Sequence, residues 1–362
     1  MLSRRRFTAA TVAAAATAAM SAPLHAAATA ARAAGFFVPD EAAPHQRTWM
    51  QWPVSRAAYG TAHDLAAAQA VIADVANTIV AIEPVTLLMA TSREPRARRL
   101  LSAAVEVWHV PTDDLWCRDS GPLFVVDGRG GLAVSHLNFN GWGRRWPHAN
   151  DARIARRVAD RLGLRLFDNG LVGEGGGVET DGDGTLLAHA SSWVNPNRNR
   201  APRAAVERLL LDAYGADKVI WAPGLAGHDV TDYHIDALAR FCGPGRVAIQ
   251  IGERRDPADV WSRTDFATLE VLQTATDARG RKLDIVRLPE PETEEWLSSY
   301  ANYYVCNGAV LASASGDREA DGEAARILGT LYPGRQVVMM NTDVLGAGGG
   351  GIHCATQQMP AV

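Results

Sequence analysis

The segment Val178-Glu179-Thr180-Asp181-Gly182-Asp183-Gly184-Thr185-Leu186-Leu187 joins two apolar runs through a tight turn. An Asp-Gly pair in that setting is a strong β-hairpin signal, because glycine adopts the positive φ that the turn needs. The same pattern recurs at 123–132 (Asp127-Gly128), 241–251 (Gly243-Pro244-Gly245) and 303–311 (Asn307-Gly308). These units lie about 55–65 residues apart, a spacing typical of propeller-like or arrayed folds.

Helical patterns fall between the hairpins. Apolar residues recur at helical spacing over four stretches, which are 65–82, 152–164, 201–214 and 319–332. Gly215 ends the third stretch and Pro333-Gly334 ends the fourth, as expected of helix stop signals. Alternating helices and hairpins predict an α/β fold, although this pattern alone does not separate a propeller from other α/β arrangements.

The composition is that of a globular protein. The chain has 362 residues, 47% of them hydrophobic, and a formal net charge of −4. This charge predicts no attraction to nucleic acid or to anionic lipid. The four cysteines lack paired spacing, so neither a zinc ribbon nor a disulfide scaffold is indicated. We expect a single domain over residues 35–362, and a homo-oligomer is compatible with this sequence.

Residues 1–34 differ from the rest of the chain. Ser3-Arg4-Arg5-Arg6-Phe7 precedes an Ala-rich, weakly hydrophobic run over 8–20, and small residues follow over 22–34. A twin-arginine pair before such a run predicts a Tat signal peptide, and hence a periplasmic or secreted protein. The alternative is a basic, Ala-rich disordered tail. The run is too short and too weakly apolar for a membrane anchor.

The C-terminal stretch Gly348-Gly349-Gly350-Gly351-Ile352-His353-Cys354-Ala355-Thr356-Gln357-Gln358 holds the strongest chemical signal. Consecutive glycines allow close backbone approach and can turn N–H groups toward one point. Such N–H groups stabilise a thiolate, the nucleophilic form of cysteine. We therefore predict that Cys354 is a catalytic nucleophile.

Other segments supply partners for a nucleophile. They contain Asp119, Glu174 and the pair His234-x-Asp236. On an extended strand, residues two apart share a face, so we expect His234 and Asp236 to point the same way. Taken singly, Asp119 beside Arg118 could form a surface ion pair, Glu174 could satisfy a Gly-rich turn, and His234-x-Asp236 could be half of a metal site.

Five motifs in one order resemble the agmatine deiminase family, a bacterial and plant branch of the guanidine-modifying enzymes. The resemblance covers nearly the whole chain after about residue 35. It implies a five-bladed α/β propeller, or pentein, with pseudo-fivefold symmetry and an active site in the central channel. The motifs are Phe37-Val38-Pro39-Asp40-Glu41 with Trp52-Pro53, Trp116-Cys117-Arg118-Asp119-Ser120-Gly121-Pro122, Glu174-Gly175-Gly176 with Asp181-Gly182, His234-x-Asp236, and Gly351-Ile352-His353-Cys354-Ala355-Thr356-Gln357-Gln358.

The resemblance implies deimination of agmatine to N-carbamoylputrescine and ammonia. Cys354 attacks the guanidinium carbon, and His234 transfers protons. Asp119 and Asp236 clamp the planar cation, and Glu174 orients His234 or shares the guanidinium. Trp116 provides an aromatic wall. Neither a cofactor nor a metal is expected, because the substrate carries its own positive charge.

Two departures bear on the substrate. Glu179 stands where the family has a histidine, and the 140–147 segment is short. We expect both to line the outer pocket, near the amine of agmatine. The alternatives left open are a free-arginine or peptidyl-arginine deiminase with the same core, a zinc hydrolase using His234, Asp236, His353 and Cys354, and a periplasmic polyamine- or guanidine-binding protein without turnover.

Overall fold

A computed structural model describes residues 30–292 and 299–362. Over these residues, sixteen strands form five separate sheets. The strands are β1 (His45–Gln51), β2 (Val85–Met89), β3 (Glu106–His109), β4 (Leu123–Val126), β5 (Leu132–Ser135), β6 (Arg165–Phe167), β7 (Val178–Thr180), β8 (Thr185–His189), β9 (Lys218–Ala222), β10 (Ala239–Phe241), β11 (Arg246–Gln250), β12 (Asp284–Leu288), β13 (Tyr304–Cys306), β14 (Ala309–Ala314), β15 (Gln336–Asn341) and β16 (Thr356–Pro360).

Four of the sheets repeat one unit, in which an antiparallel hairpin is followed by a helix and a parallel third strand. All four predicted hairpins are confirmed. The α-helices are α1 (Arg56–Tyr59), α2 (Ala62–Val80), α3 (Glu94–Ala97), α4 (Cys117–Ser120), α5 (Gly141–Arg144), α6 (Ile154–Leu162), α7 (Ala190–Trp193), α8 (Arg203–Tyr214), α9 (Val260–Thr274), α10 (Arg318–Leu331), α11 (Asp343–Ala347) and α12 (Ile352–Ala355).

The fifth sheet joins the two ends of the chain. Its order is β16-β1-β2-β3, and β16 pairs antiparallel with β1. The strand that follows Cys354 thus replaces the first strand of a hairpin, and the ring closes without a local turn. The five sheets form a five-bladed α/β propeller, as the family resemblance implies. The fifth blade was not predicted from the residues, because no turn signal marks a pairing between strands this far apart.

Local signals set the helix ends. Gly215 follows α8 with φ 65°, a left-handed cap that glycine adopts without strain. Asp259 caps α9 by accepting hydrogen bonds from Trp261 N and Ser262 N. Among the residues that the structure describes, the hydrophobic core is divided into five clusters rather than one.

The first described residues pack on the propeller body. Ala31 is fully buried in the cluster beneath α8, and Arg32 forms an ion pair with Asp217 at 2.7 Å. The twin-arginine motif and the Ala-rich run that follows it lie outside the described residues. None of the described helices is long and apolar enough to cross a membrane.

Candidate active site

Cys354 lies in α12, one short turn between the glycine run and β16. Its Sγ is 3.5 Å from Asp236 Oδ2 and accepts a hydrogen bond from Asn302 Nδ2 at 3.2 Å. Gly350 is a close-approach glycine, because a Cβ there would lie 2.5 Å from the Trp116 ring and 3.1 Å from Cys354 Cβ. The glycines therefore let this loop pass between Trp116 and the thiol.

His234 is reached through a strained loop. Asp232 and Tyr233 before it have φ of 60° and 71°, which non-glycine residues rarely adopt. The residues after it form a 3₁₀ turn, Ile235–Ala237, so the predicted extended strand is wrong. The expected outcome of that strand, His234 and Asp236 meeting at one site, is nevertheless observed. Strain of this kind is typical of positions that the surrounding structure holds for function.

Gly176 marks the point where three predicted residues meet. Its N–H donates to Asp119 Oδ1 at 3.0 Å. A Cβ at Gly176 would lie 2.7 Å from His234 Nδ1, 2.9 Å from Asp119 Oδ1 and 2.9 Å from Asp236 Oδ2. His234, Asp119 and Asp236 thus surround one small volume, and Cys354 contacts it through Asp236. The five predicted catalytic residues, Cys354, His234, Glu174, Asp119 and Asp236, form one constellation.

Both carboxylate oxygens of Glu174 accept hydrogen bonds. Arg198 Nε donates to Oε1 and Oε2 at 3.0 Å each, and His234 Nε2 lies 3.2 Å from Oε2. Arg198 also pairs with Asp232 at 2.6 Å. Of the two roles expected for Glu174, this geometry favours orientation of His234 over a share in holding the guanidinium.

The two clamp candidates have different surroundings. Asp119 Oδ2 accepts from Trp142 Nε1 at 2.8 Å, and its Oδ1 accepts from Gly176. Asp236 Oδ2 accepts from His353 Nδ1 at 2.7 Å. Within the described ranges, buried Asp236 Oδ1 has no hydrogen-bond partner. Such a buried acceptor is costly unless a ligand completes it.

Burial and charge set the protonation states. Burial raises the pKa of the Cys354 thiol well above its usual range, and the charges of Asp236 and Asp119 raise it further. The amide of Asn302 acts in the opposite direction. Burial acts to lower the pKa of His234, but the charges of Asp119 and Glu174 prevail and raise it to about 9. At neutral pH the free site therefore holds a thiol beside an imidazolium.

Trp116 is a wall of the site. Its ring lies against Gly348 and Gly350, and it belongs to the same hydrophobic cluster as Cys354. The expected position of Glu179 is wrong. Glu179 is buried, forms an ion pair with Arg240 at 2.7 Å and lies 3.9 Å from His353 Nε2, on the side of His353 away from Asp236.

Sequence reasoning missed three supporting residues, Asn302, Arg198 and Trp142. Asn302 contacts the thiol, and Arg198 holds Glu174. No motif marks Asn302 or Arg198. A signal for Trp142 was available, because it stands between Gly141 and Gly143 and takes a left-handed φ of 52°. Glycines on both sides are typical of a backbone bent to present one side chain.

The zinc-hydrolase alternative requires several side chains arranged to coordinate one metal ion. Among residues 30–292 and 299–362, no group of three or more His, Cys, Asp or Glu is arranged to hold a metal ion. Both ring nitrogens of His353 face carboxylates, Asp236 and Glu41. The four cysteines are free thiols, so Cys117 and Cys354 are not bridged.

Comparisons with known proteins identify relatives over nearly all of the described chain. The model of the Porphyromonas-type peptidyl-arginine deiminase family matches residues 37–360. A Streptomyces coelicolor protein with the provisional name agmatine deiminase is 42% identical, covering 90% of this chain and 99% of its own. The agmatine deiminase of Ectopseudomonas mendocina is 34% identical, covering 92% of this chain and 98% of its own.

A solved structure extends the likeness to the fold. The Enterococcus faecalis agmatine deiminase superimposes with a TM-score of 0.85 at 26% identity, covering 92% of this chain and 98% of its own. Family model, relatives and fold thus agree over the whole propeller. The chain belongs to the Porphyromonas-type peptidyl-arginine deiminase family, in which its relatives include agmatine deiminases.

Proposed function

We propose that the protein hydrolyses agmatine to N-carbamoylputrescine and ammonia through a covalent adduct on Cys354. One observation carries the proposal: two carboxylates and a protonated histidine surround one small volume, and the buried Cys354 thiol lies 3.5 Å from one of those carboxylates, Asp236. A planar cation satisfies this set, because it brings the positive charge and the donors that Asp119 and Asp236 lack. The names of the relatives support agmatine as the substrate.

Binding prepares the nucleophile. The guanidinium donates to Asp236 Oδ1 and to Asp119, so the two carboxylates fix the plane of the substrate. Its positive charge then offsets the two carboxylates that raise the pKa of Cys354. Trp116 covers the cation from one side. The thiol therefore releases its proton to solvent, and the thiolate forms, when the substrate is in place.

In the first half-reaction, the Cys354 thiolate attacks the central carbon and a C–S bond forms. His234 gives its proton to one nitrogen, the C–N bond breaks, and ammonia leaves. The adduct is an S-linked thiouronium cation held between Asp119 and Asp236. Glu174, itself fixed by Arg198, keeps His234 in place for the transfer.

In the second half-reaction, neutral His234 takes a proton from water as the oxygen attacks the same carbon. The C–S bond then breaks, the electron pair returns to Cys354 as thiolate, and the hydroxyl proton passes to solvent. The urea product retains the oxygen. Once the cationic adduct is gone, the thiolate takes up a proton from solvent, which restores the resting thiol and imidazolium. The same histidine thus acts first as acid and then as base.

The substrate can be tested by comparing agmatine, free arginine and an arginyl peptide. The family model is described as peptidyl-arginine deiminase, which makes the peptide the competitor to include. We expect kcat/KM for ammonia release to be highest with agmatine. A tenfold preference for arginine or the peptide, about 1.4 kcal/mol of transition-state binding, would overturn the substrate and leave the mechanism standing. No ammonia from any of the three would overturn both.

We also propose that the protein is exported through the Tat pathway. The support is the Ser3-Arg4-Arg5-Arg6-Phe7 motif before an Ala-rich run. A double substitution, Arg4→Lys with Arg5→Lys, keeps the charge and removes the twin arginines. We expect the unprocessed form to accumulate in the cytoplasm, measured by fractionation and immunoblot. Normal export of this variant would contradict the proposal.

A further inference from the structure

His353 lies between two carboxylates. Its Nδ1 is 2.7 Å from Asp236 Oδ2, and its Nε2 is 2.9 Å from Glu41 Oε2. An ionised carboxylate only accepts hydrogen bonds, so both ring nitrogens must donate. The side chain of His353 is 2% exposed, which leaves little room for water to take over either bond. The geometry therefore requires an imidazolium.

Glu41 connects His353 to a larger charged cluster. Its Oε2 also lies 3.0 Å from Arg118 Nη2 and 3.0 Å from Arg240 Nη2. Arg240 in turn pairs with Glu179 at 2.7 Å. The buried cluster thus contains three carboxylates, Glu41, Glu179 and Asp236, against Arg118, Arg240 and His353. A protonated His353 supplies the third positive group opposite these carboxyls, of which burial raises the pKa of Glu179; an uncompensated buried charge is costly.

The cluster acts on one end of Asp236. His353 and the Cys354 thiol occupy Oδ2, whereas Oδ1 has no partner among the described side chains. When hydrogen bonds hold one oxygen of a carboxylate, the χ1 and χ2 angles of that side chain are restricted. The orientation of Oδ1, which the proposed guanidinium clamp requires, therefore depends on His353, and through it on Glu41.

We propose that Glu41 and His353 are positioning residues, and that the chain Glu41–His353–Asp236 holds Asp236 oriented toward the guanidinium. This inference rests on the proposed deiminase function. Glu41 comes from the N-terminal segment before β1, far from the site in sequence, so the arrangement also makes that segment part of the active site. Neither residue touches the substrate, since both act through Asp236.

The ionisation of Asp236 gives the inference a pH dependence. Asp236 faces His353 and Cys354, with His234, Arg240 and Asp119 close by. Burial acts to raise the pKa of Asp236, but His353 and the charges of His234 and Arg240 hold it below its usual range. A depressed carboxylate pKa means that the active, ionised form persists to low pH. Weakening the hydrogen bonds of Glu41–His353–Asp236 raises the pKa of Asp236, so activity is lost at a higher pH.

Two variants test the chain, His353→Gln and Glu41→Gln. Each keeps a hydrogen-bonding group and removes a charge. We expect kcat/KM for agmatine to fall at least tenfold at pH 7, with KM rising, and the acid limb of the kcat/KM profile to move to higher pH. The matched control is His136→Gln, which removes a buried histidine that pairs with Asp168 at 3.5 Å outside the site. Its acid limb should overlay that of the wild type.

A second measurement does not depend on turnover. Nitrogen NMR of ¹⁵N-histidine-labelled protein should show both His353 ring nitrogens protonated at neutral pH, with the signals assigned by their loss in His353→Gln. A neutral His353 would overturn the inference, as would acid limbs in both glutamine variants that coincide with the wild type. If the wild type releases no ammonia from agmatine, the proposed function fails. The NMR result still decides whether His353 is protonated between Glu41 and Asp236.

Discussion

Replacing Cys354 with alanine is expected to lower kcat for agmatine by on the order of 10⁴-fold or more. The proposed mechanism places the covalent bond on Cys354, while Asp236 and Asp119 accept hydrogen bonds and His234 holds a proton. Binding should survive, because the clamps remain. Steady-state ammonia release gives the rate, and calorimetry on the variant gives the affinity for agmatine.

Cys117→Ala is the matched control for that experiment. Cys117 is also buried, and it lies two residues before Asp119, but it packs in a separate hydrophobic cluster. Its loss should cost stability and leave turnover near that of the wild type. Intact-mass measurement after acid quenching should show the adduct in Cys117→Ala and not in Cys354→Ala. Turnover of Cys354→Ala above about 1% of wild type would contradict the nucleophile assignment.

The protonation state of Cys354 in the free protein suggests that the thiol needs the substrate in order to ionise. Burial and two carboxylates keep Cys354 protonated in the free protein. A low-pKa thiolate in a site open to solvent would be exposed to oxidation. In the proposed mechanism, Cys354 instead ionises only when a cation arrives, and positive charge is also the feature that distinguishes the substrate from other small molecules.

Local signals in the sequence account for most of the fold. The Asp-Gly and Asn-Gly hairpins and the amphipathic helices are short-range features, and turn chemistry specifies them directly. The β16–β1 pairing is different, because it joins His45 to Pro360 through no connecting turn. Its specification lies in burial on both faces of β16, which becomes visible only once the ring is closed.

The site divides in the same way. Cys354, His234 and Asp119 stand near glycines or aromatics, and those neighbours made them recognisable in the sequence. Glu41 and Asn302 act through partners far along the chain, His353 and Cys354, and no residue pattern connects positions this far apart. The strand expected for His234-x-Asp236 was wrong because Asp232 and Tyr233 bend the backbone into the left-handed region, which no residue pattern there signals.

His234→Ala is expected to lower kcat by about 10²–10⁴-fold with little change in KM. The histidine gives a proton to the departing ammonia and later takes one from water, while the clamping carboxylates that set KM stay in place. Quenched-flow separation of ammonia release from urea formation should show both half-reactions slowed. A variant with slow chemistry but intact binding is the result that an acid–base role requires.

The pH profile separates this role from a structural one. The pKa of His234 in the free protein is about 9, because the charges of Asp119 and Glu174 outweigh burial. A histidine with a raised pKa is protonated below that value, so kcat/KM should hold up to about pH 9 and fall above it. The basic limb should be absent from His234→Ala and present in His136→Gln, which keeps the site intact. If the basic limb persists unchanged in His234→Ala, another group supplies the proton, and the clamp and nucleophile assignments would stand without this acid.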